Sequence, residues 1–270
     1  MIANQTCMQA QTITEVIARL ETIINDSIAS GNRAGYFAAL YHKVTSRVKQ
    51  GIDSGEFQDC ARMEQFDVLF ANRYLTAYDQ WTGKQFDQLS QSWSVAFKAT
   101  EQSSILILQH LLLGMNAHIN LDLGIAVTEV AKANNVPLAT LNNDFNTINT
   151  ILASLTYQVV SELDQLSPLM SLAGLHSKND SLFIQFAMDN ARDGAWCFAE
   201  DLYTKQNEAF NDAISQRDEG IAQLGAGIID TKGLLALTTC IIHLFEDKNP
   251  AQITQVLNTY KKAYIRLHKP

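Results

Sequence analysis

Residues 105–126 read ILILQHLLLGMNAHINLDLGIA, and this stretch decides the fold. It is apolar on every side over several helical turns, so it is a helix that must be enclosed by other helices. The segment 105–115 is interrupted by Gln109 and His110 and falls short of the ~20 apolar residues a membrane span requires. The expectation is therefore a buried central helix, about 104–130, in an all-α protein.

The flanking sequence supplies the neighbours. Ile13, Val16, Ile17, Leu20, Ile23 and Ile24 recur at three- and four-residue spacing before Gly31 offers a stop. Over 33–52, Phe37, Leu40, Tyr41, Val44 and Val48 form a second apolar stripe, which Gly51 and Gly55 break. Asp59 suits the N-cap of a third helix through Met63, Phe66, Leu69, Phe70 and Tyr74 towards Trp81, ended by Gly83. Residues 86–99 are amphipathic through Leu89, Trp93 and Phe97, and Ser103 or Ser104 is expected to cap the central helix.

Beyond it, a helix is expected from about Asn143 through Ile148, Leu152, Leu155 and Val159 to Leu166. A long one with a bend follows, from Asn179 or Asp180 past Trp196 and Phe210 towards Arg217. Gly220, Gly225 and Gly227 read as a loop or hinge, and Asn249-Pro250 opens the last helix. No internal repeat is visible. The expected organisation is a single multi-helix, bundle-like domain over residues 1–270, with 228–270 as a candidate C-terminal helical appendage.

Composition agrees with long helices and short connections: 4 prolines and 13 glycines in 270 residues, 47% of them hydrophobic. The net charge of −8, with no Lys/Arg cluster, removes the electrostatic basis for binding nucleic acid or an anionic membrane surface. Small molecules are the expected partners. Cys7, Cys60, Cys197 and Cys240 form no C-x-x-C pair, which leaves zinc-knuckle and thioredoxin-like readings without support. The N-terminus carries no basic stretch and no apolar core of a signal peptide, so a cytoplasmic location is expected. There is no H-E-x-x-H, G-x-S-x-G, P-loop, G-x-G-x-x-G or E-x-x-H.

Chemistry is sought on the central helix itself, where burying polar groups is costly unless they are paired. At about 100° per residue, His110, Gly114, His118 and Asp122 advance along one side, while Asn116 and Asn120 lie on another. Gly114 leaves room for a ligand or a neighbouring helix. His118 and Asp122, with His110 as a second imidazole, are the candidate catalytic residues. Asp122 could orient His118 as a general acid/base. The same three could hold zinc, iron or manganese, and a haem axial histidine is a further option. The competing reading is that all three are hydrogen-bonded core residues bracing the helices. Further candidates for substrate binding are Asn116, Asn120, Asp67, Arg73, Asp144, Arg192 and Trp196. Asp67 is expected to meet Arg73 or a histidine in a buried salt bridge. Asp144 suits a helix N-terminus. Arg192 and Trp196, four residues apart, could form a cation–π pair or line an anion pocket, with core packing as the plainer role of Trp196.

YFAALYHKVTSRVKQGI (36–52), RMEQFDVLFANRYLTA (62–77) and HLLLGMNAHINLDLGIA (110–126) resemble the bacterial family of unknown function DUF5995, and the resemblance continues through DFNTINTILA (144–153) and ARDGAW (191–196). It implies that these segments belong to one helical domain and brings no reaction or cofactor. His118-x-x-x-Asp122 is also similar to the metal-binding H-x-x-x-D of zinc-dependent phospholipase C and related nucleases, although the rest of their histidine-rich pattern is missing. These features together favour a small-molecule enzyme with its pocket between helices. The alternatives are a non-catalytic binder of haem or an apolar metabolite, and a structural or interaction module.

Overall fold

The computed structural model describes residues 9–169 and 188–258. Among them are eleven α-helices and no strand: α1 (Ile13–Ser30), α2 (Ala34–Asp53), α3 (Cys60–Thr82), α4 (Gln91–Thr100), α5 (Ile107–Ala117), α6 (Leu123–Ala133), α7 (Asn142–Leu166), α8 (Met188–Tyr203), α9 (Asn207–Ile229), α10 (Gly233–Phe245) and α11 (Pro250–Asn258). A π-helical turn over His118–Asp122 joins α5 to α6, so the central helix runs unbroken over Ile107–Ala133, 27 residues. Its length and apolarity would suffice to cross a membrane, more than the segment 105–115 alone suggested, and 94% of its most apolar window lies inside the protein. α2, α3, α4, α8 and α9 pack around it.

Local rules set most of the boundaries. Thr12 caps α1 by accepting from the N–H of Glu15, and Gly31 ends it at φ 66°, a left-handed conformation suited to glycine. Asp59 caps α3 through the N–H of Arg62, and Ser90 caps α4 through that of Trp93. Asn249 accepts from the N–H groups of Ala251 and Gln252 at the start of α11, with Pro250 as its first residue.

Long-range side chains hold two helix starts, that of the central helix and, together with Ser90, that of α4. Neither Ser103 nor Ser104 caps the central helix. Gln109 Oε1 accepts from Leu106 N–H at 3.0 Å, and Glu246 Oε1 reaches from beyond α10 to accept from Ile107 N–H at 3.1 Å. Asp218 of α9 accepts from the N–H groups of Gln91 and Ser92 at 2.6 and 2.9 Å and holds the first turn of α4. The negative side chains meet the orphan donors and positive dipole ends of the helices. Between α2 and α7, the buried Lys43 ammonium lies 2.5 Å from the Glu162 carboxylate.

Two expectations are corrected. The long bent helix is two helices, α8 and α9, separated at residues 204–206; its expected start at Asn179 or Asp180 lies outside the described residues. The glycines at 220, 225 and 227 form no loop, because α9 runs through all three. At Gly225 a Cβ would stand 3.2 Å from Val95 and 3.3 Å from Asn116, so the missing side chain lets α9 approach α4 and α5 closely. α11 packs on α1, α2 and α7. α10 leaves Leu237, Leu244 and Phe245 exposed.

Candidate functional site

The π-turn is the first departure from a regular core helix. Leu123 N–H bonds to the His118 carbonyl five residues back, a winding often found at functional positions. His118 and Asp122 bound this turn, and each is only 2% exposed. His118 Nδ1 lies 3.3 Å from Asp122 Oδ2. Trp93 Nε1 donates to the same oxygen at 2.8 Å, and Arg73 Nε donates to Oδ1 at 2.9 Å. α3 and α4 thus hold the carboxylate from outside while the central helix presents it to the imidazole.

The electrostatics follow from these contacts. Burial pushes the Asp122 carboxyl up, but Arg73 and the hydrogen bonds from His118 and Trp93 outweigh it and hold the group below the ordinary carboxylate value. Burial lowers His118 below the ordinary imidazole value despite the pull of Asp122. An ionised carboxylate can only accept, so the neutral imidazole carries its proton on Nδ1 and leaves a lone pair on Nε2. Nε2 has no protein partner.

His118 belongs to the wall of a cavity of about 110 Å³ lined by α2, α3, the central helix and α7, with Arg192 of α8. This is far more than the ~10–15 Å³ that one water needs. The wall is almost wholly apolar; its ionisable side chains among the described residues are Tyr41, Asp67, His118 and Arg192, and no Ser, Thr or Cys is among them. Aromatic rings fix His118 at the wall: Phe70 stacks on it with centroids 3.6 Å apart, and Tyr41 meets it edge-on at 4.5 Å. Phe37, also in the lining, fills the space opposite Gly114, where a Cβ would come within 2.4 Å of its ring.

Asp67 is the second polar feature of the cavity. The expected salt bridge is absent: Arg73 serves Asp122, with Glu129 at 3.8 Å beyond it, and Asp67 Oδ2 has no partner. Burial, with the nearby Glu64 charge, raises the carboxyl to about 7.

The other candidates are placed elsewhere. His110 faces Tyr36 at 5.5 Å between ring centroids, burial with the Arg33 charge lowers it to about 3, and neither ring nitrogen has a hydrogen-bond partner among the described residues. It does not join His118 and Asp122, and among the described residues no three His, Cys, Asp or Glu side chains converge to hold a metal ion. Asn116 and Asn120 do lie on another side, turned to α9. Asn116 Nδ2 donates to the Ile221 carbonyl at 2.9 Å and its Oδ1 accepts from Asn120 at 3.0 Å, while Arg217 donates to the Asn120 carbonyl. Asp144, near the start of α7, accepts from the N–H groups of Gln58 and Asp59 and secures the entry to α3. Arg192 lies over the Phe145 ring at 4.2 Å and not over Trp196; it donates to the Phe145 carbonyl and Asn149, and Trp196 packs on Phe145 and donates to Glu200. Of the four remaining histidines, His176 and His268 lie outside the described residues. Sequence reasoning treated Trp93 as core packing and gave no site role to Phe70 or Tyr41. The signal for Trp93 is its indole N–H, which must find an acceptor once buried.

No curated protein and no solved structure matches the chain. The model of DUF5995, described as a family of unknown function, matches residues 13–231, a range that includes every cavity-lining residue. The chain belongs to this family.

Proposed function

We propose that the protein binds a small, largely apolar molecule in the cavity and that His118 acts on it as a general base, with Asp122 orienting the ring. One observation carries this: a buried imidazole in the wall of an apolar cavity, whose Nδ1 is held by Asp122 and whose Nε2 has no protein partner. A base needs one nitrogen fixed and the other open. The base acts on the ligand's own proton or on a water beside it. Asp67, protonated below about pH 7, complements His118 as a hydrogen-bond donor.

Two measurements test this. A fluorescent anthracene-type probe should bind wild type and His118→Ala alike. A panel of apolar esters, epoxides and ketones should then yield a substrate whose turnover falls about 10²–10⁴-fold in His118→Ala, with the helical circular dichroism unchanged. Failure of the folded wild type to bind the probe, or turnover that survives the substitution, contradicts the reading.

A further inference from the structure

The cavity's shape and the chemistry of its polar end narrow what it takes. Its lining runs along α2 from Phe37 to Val48 and along α7 from Ile148 to Leu163, about 16 Å and 22 Å of helix axis respectively at 1.5 Å per residue. This is an elongated space. Among the described residues, His118 touches Phe37 and Tyr41 at one end of the α2 strip, while Val44 and Val48 continue that strip with apolar side chains.

The head of the ligand must suit what waits for it. His118 Nε2 offers a lone pair and no proton, so it calls for a donor. Asp67 Oδ2 is also buried and unpartnered. An ionised carboxylate head would bring no proton to His118 and would bury a charge with no free cation among the described lining residues, at a high desolvation cost. Arg192, the cation in the lining, is engaged by Asn149, the Phe145 carbonyl and the Phe145 ring. A hydroxyl donates to His118 and keeps an acceptor for a protonated Asp67.

Resting on the proposed binding role of this cavity, we infer that its ligand class is an elongated apolar molecule with a single uncharged hydroxyl head, in the manner of an alkyl or isoprenoid alcohol. The hydroxyl donates to His118 Nε2, and the chain runs towards Val44 and Val48.

The test is displacement of a bound anthracene-type probe from the full chain at neutral pH by decanol, decanoate, decylamine and decane. The expected result is that decanol displaces the probe at a concentration at least about tenfold lower than each of the others. His118→Leu should bring decanol to the level of decane while probe affinity is kept. If His118→Leu does not fold, Asp67→Asn serves, and decanol must still outcompete decanoate because the His118 acceptor is intact. Decanoate displacing as well as decanol would assign the head to Arg192 and overturn the inference, and decylamine doing so would assign it to an ionised Asp67. An unchanged decanol preference in a folded His118→Leu also overturns it. A wild type that binds no probe at all would defeat the cavity reading itself, an outcome distinct from binding with the wrong preference.

Discussion

His118 and Asp122 show how far residue-scale reading reaches. Their four-residue spacing on an apolar helix announced a pair, and the structure joins them. The partners that fix the pair, Arg73 and Trp93, come from two other helices, and no spacing within one helix encodes that meeting. The Asp67–Arg73 bridge was excluded by geometry: six residues at about 100° each point the two side chains about 120° apart around α3. Arg192 and Trp196 have the right spacing, yet Phe145 of α7 lies between their roles, taking the guanidinium on its face and the indole at its side. Two outcomes follow at this scale. Asp122→Asn leaves half-buried Arg73 with only Glu129 at 3.8 Å, and urea unfolding should show a loss of about 1–3 kcal/mol with the fold retained. Asp67 gives the opposite pH signature. Its carboxyl is raised from 3.8 to about 7 in the folded protein, so the unfolded chain releases this proton first as pH rises. The stability it contributes is complete below pH 3.8 and lost by about pH 7. Asp67→Asn should therefore gain on wild type by on the order of 4 kcal/mol across that window. Parallel stability profiles for the two proteins would refute this account of Asp67.

Elements were legible where the stop signal is local and illegible where tertiary packing supplies it. Gly31, Asp59, Gly83 and Asn249-Pro250 mark helix ends by their own conformational or capping chemistry, and the structure uses all of them. Gly220, Gly225 and Gly227 looked like a breaker, but glycine inside a helix costs only about 1 kcal/mol against alanine, which packing readily overrides. The central helix begins at a long-range cap from Glu246, invisible to a search for a nearby serine. Two glycines give a paired prediction. Gly220 has nothing within 4 Å of its missing Cβ, so Gly220→Ala should stabilise the protein by about 0.5–1 kcal/mol. Gly114→Ala gains the same propensity but drives a methyl to 2.4 Å from the Phe37 ring, which Tyr41, Tyr74, Trp93 and His118 hem in. It should cost about 1–3 kcal/mol net. Thermal or urea unfolding of both variants decides the matter, and equal shifts would contradict it.

At the scale of the molecule, a helix enclosed by others was predictable from one apolar stretch, because such a surface has no other place to go. A pocket between helices was expected, but its place and lining were not legible. The periodicities of α2, α3 and α7 say which residues point inward, but whether inward side chains meet or leave space depends on volumes summed over four elements. The sequence therefore pointed to the polar line on the central helix and could not say which member faces open space: His118 does, His110 and Asp122 do not. The nitrogen-15 shifts of the His118 ring, recorded without and with saturating decanol, address the central claim directly. The account predicts a neutral ring protonated on Nδ1, with the Nε2 resonance at an unprotonated value that moves upfield when the alcohol donates to it, while Nδ1 stays nearly fixed. A proton on Nε2 in the free protein, or an Nε2 shift indifferent to decanol, would contradict it.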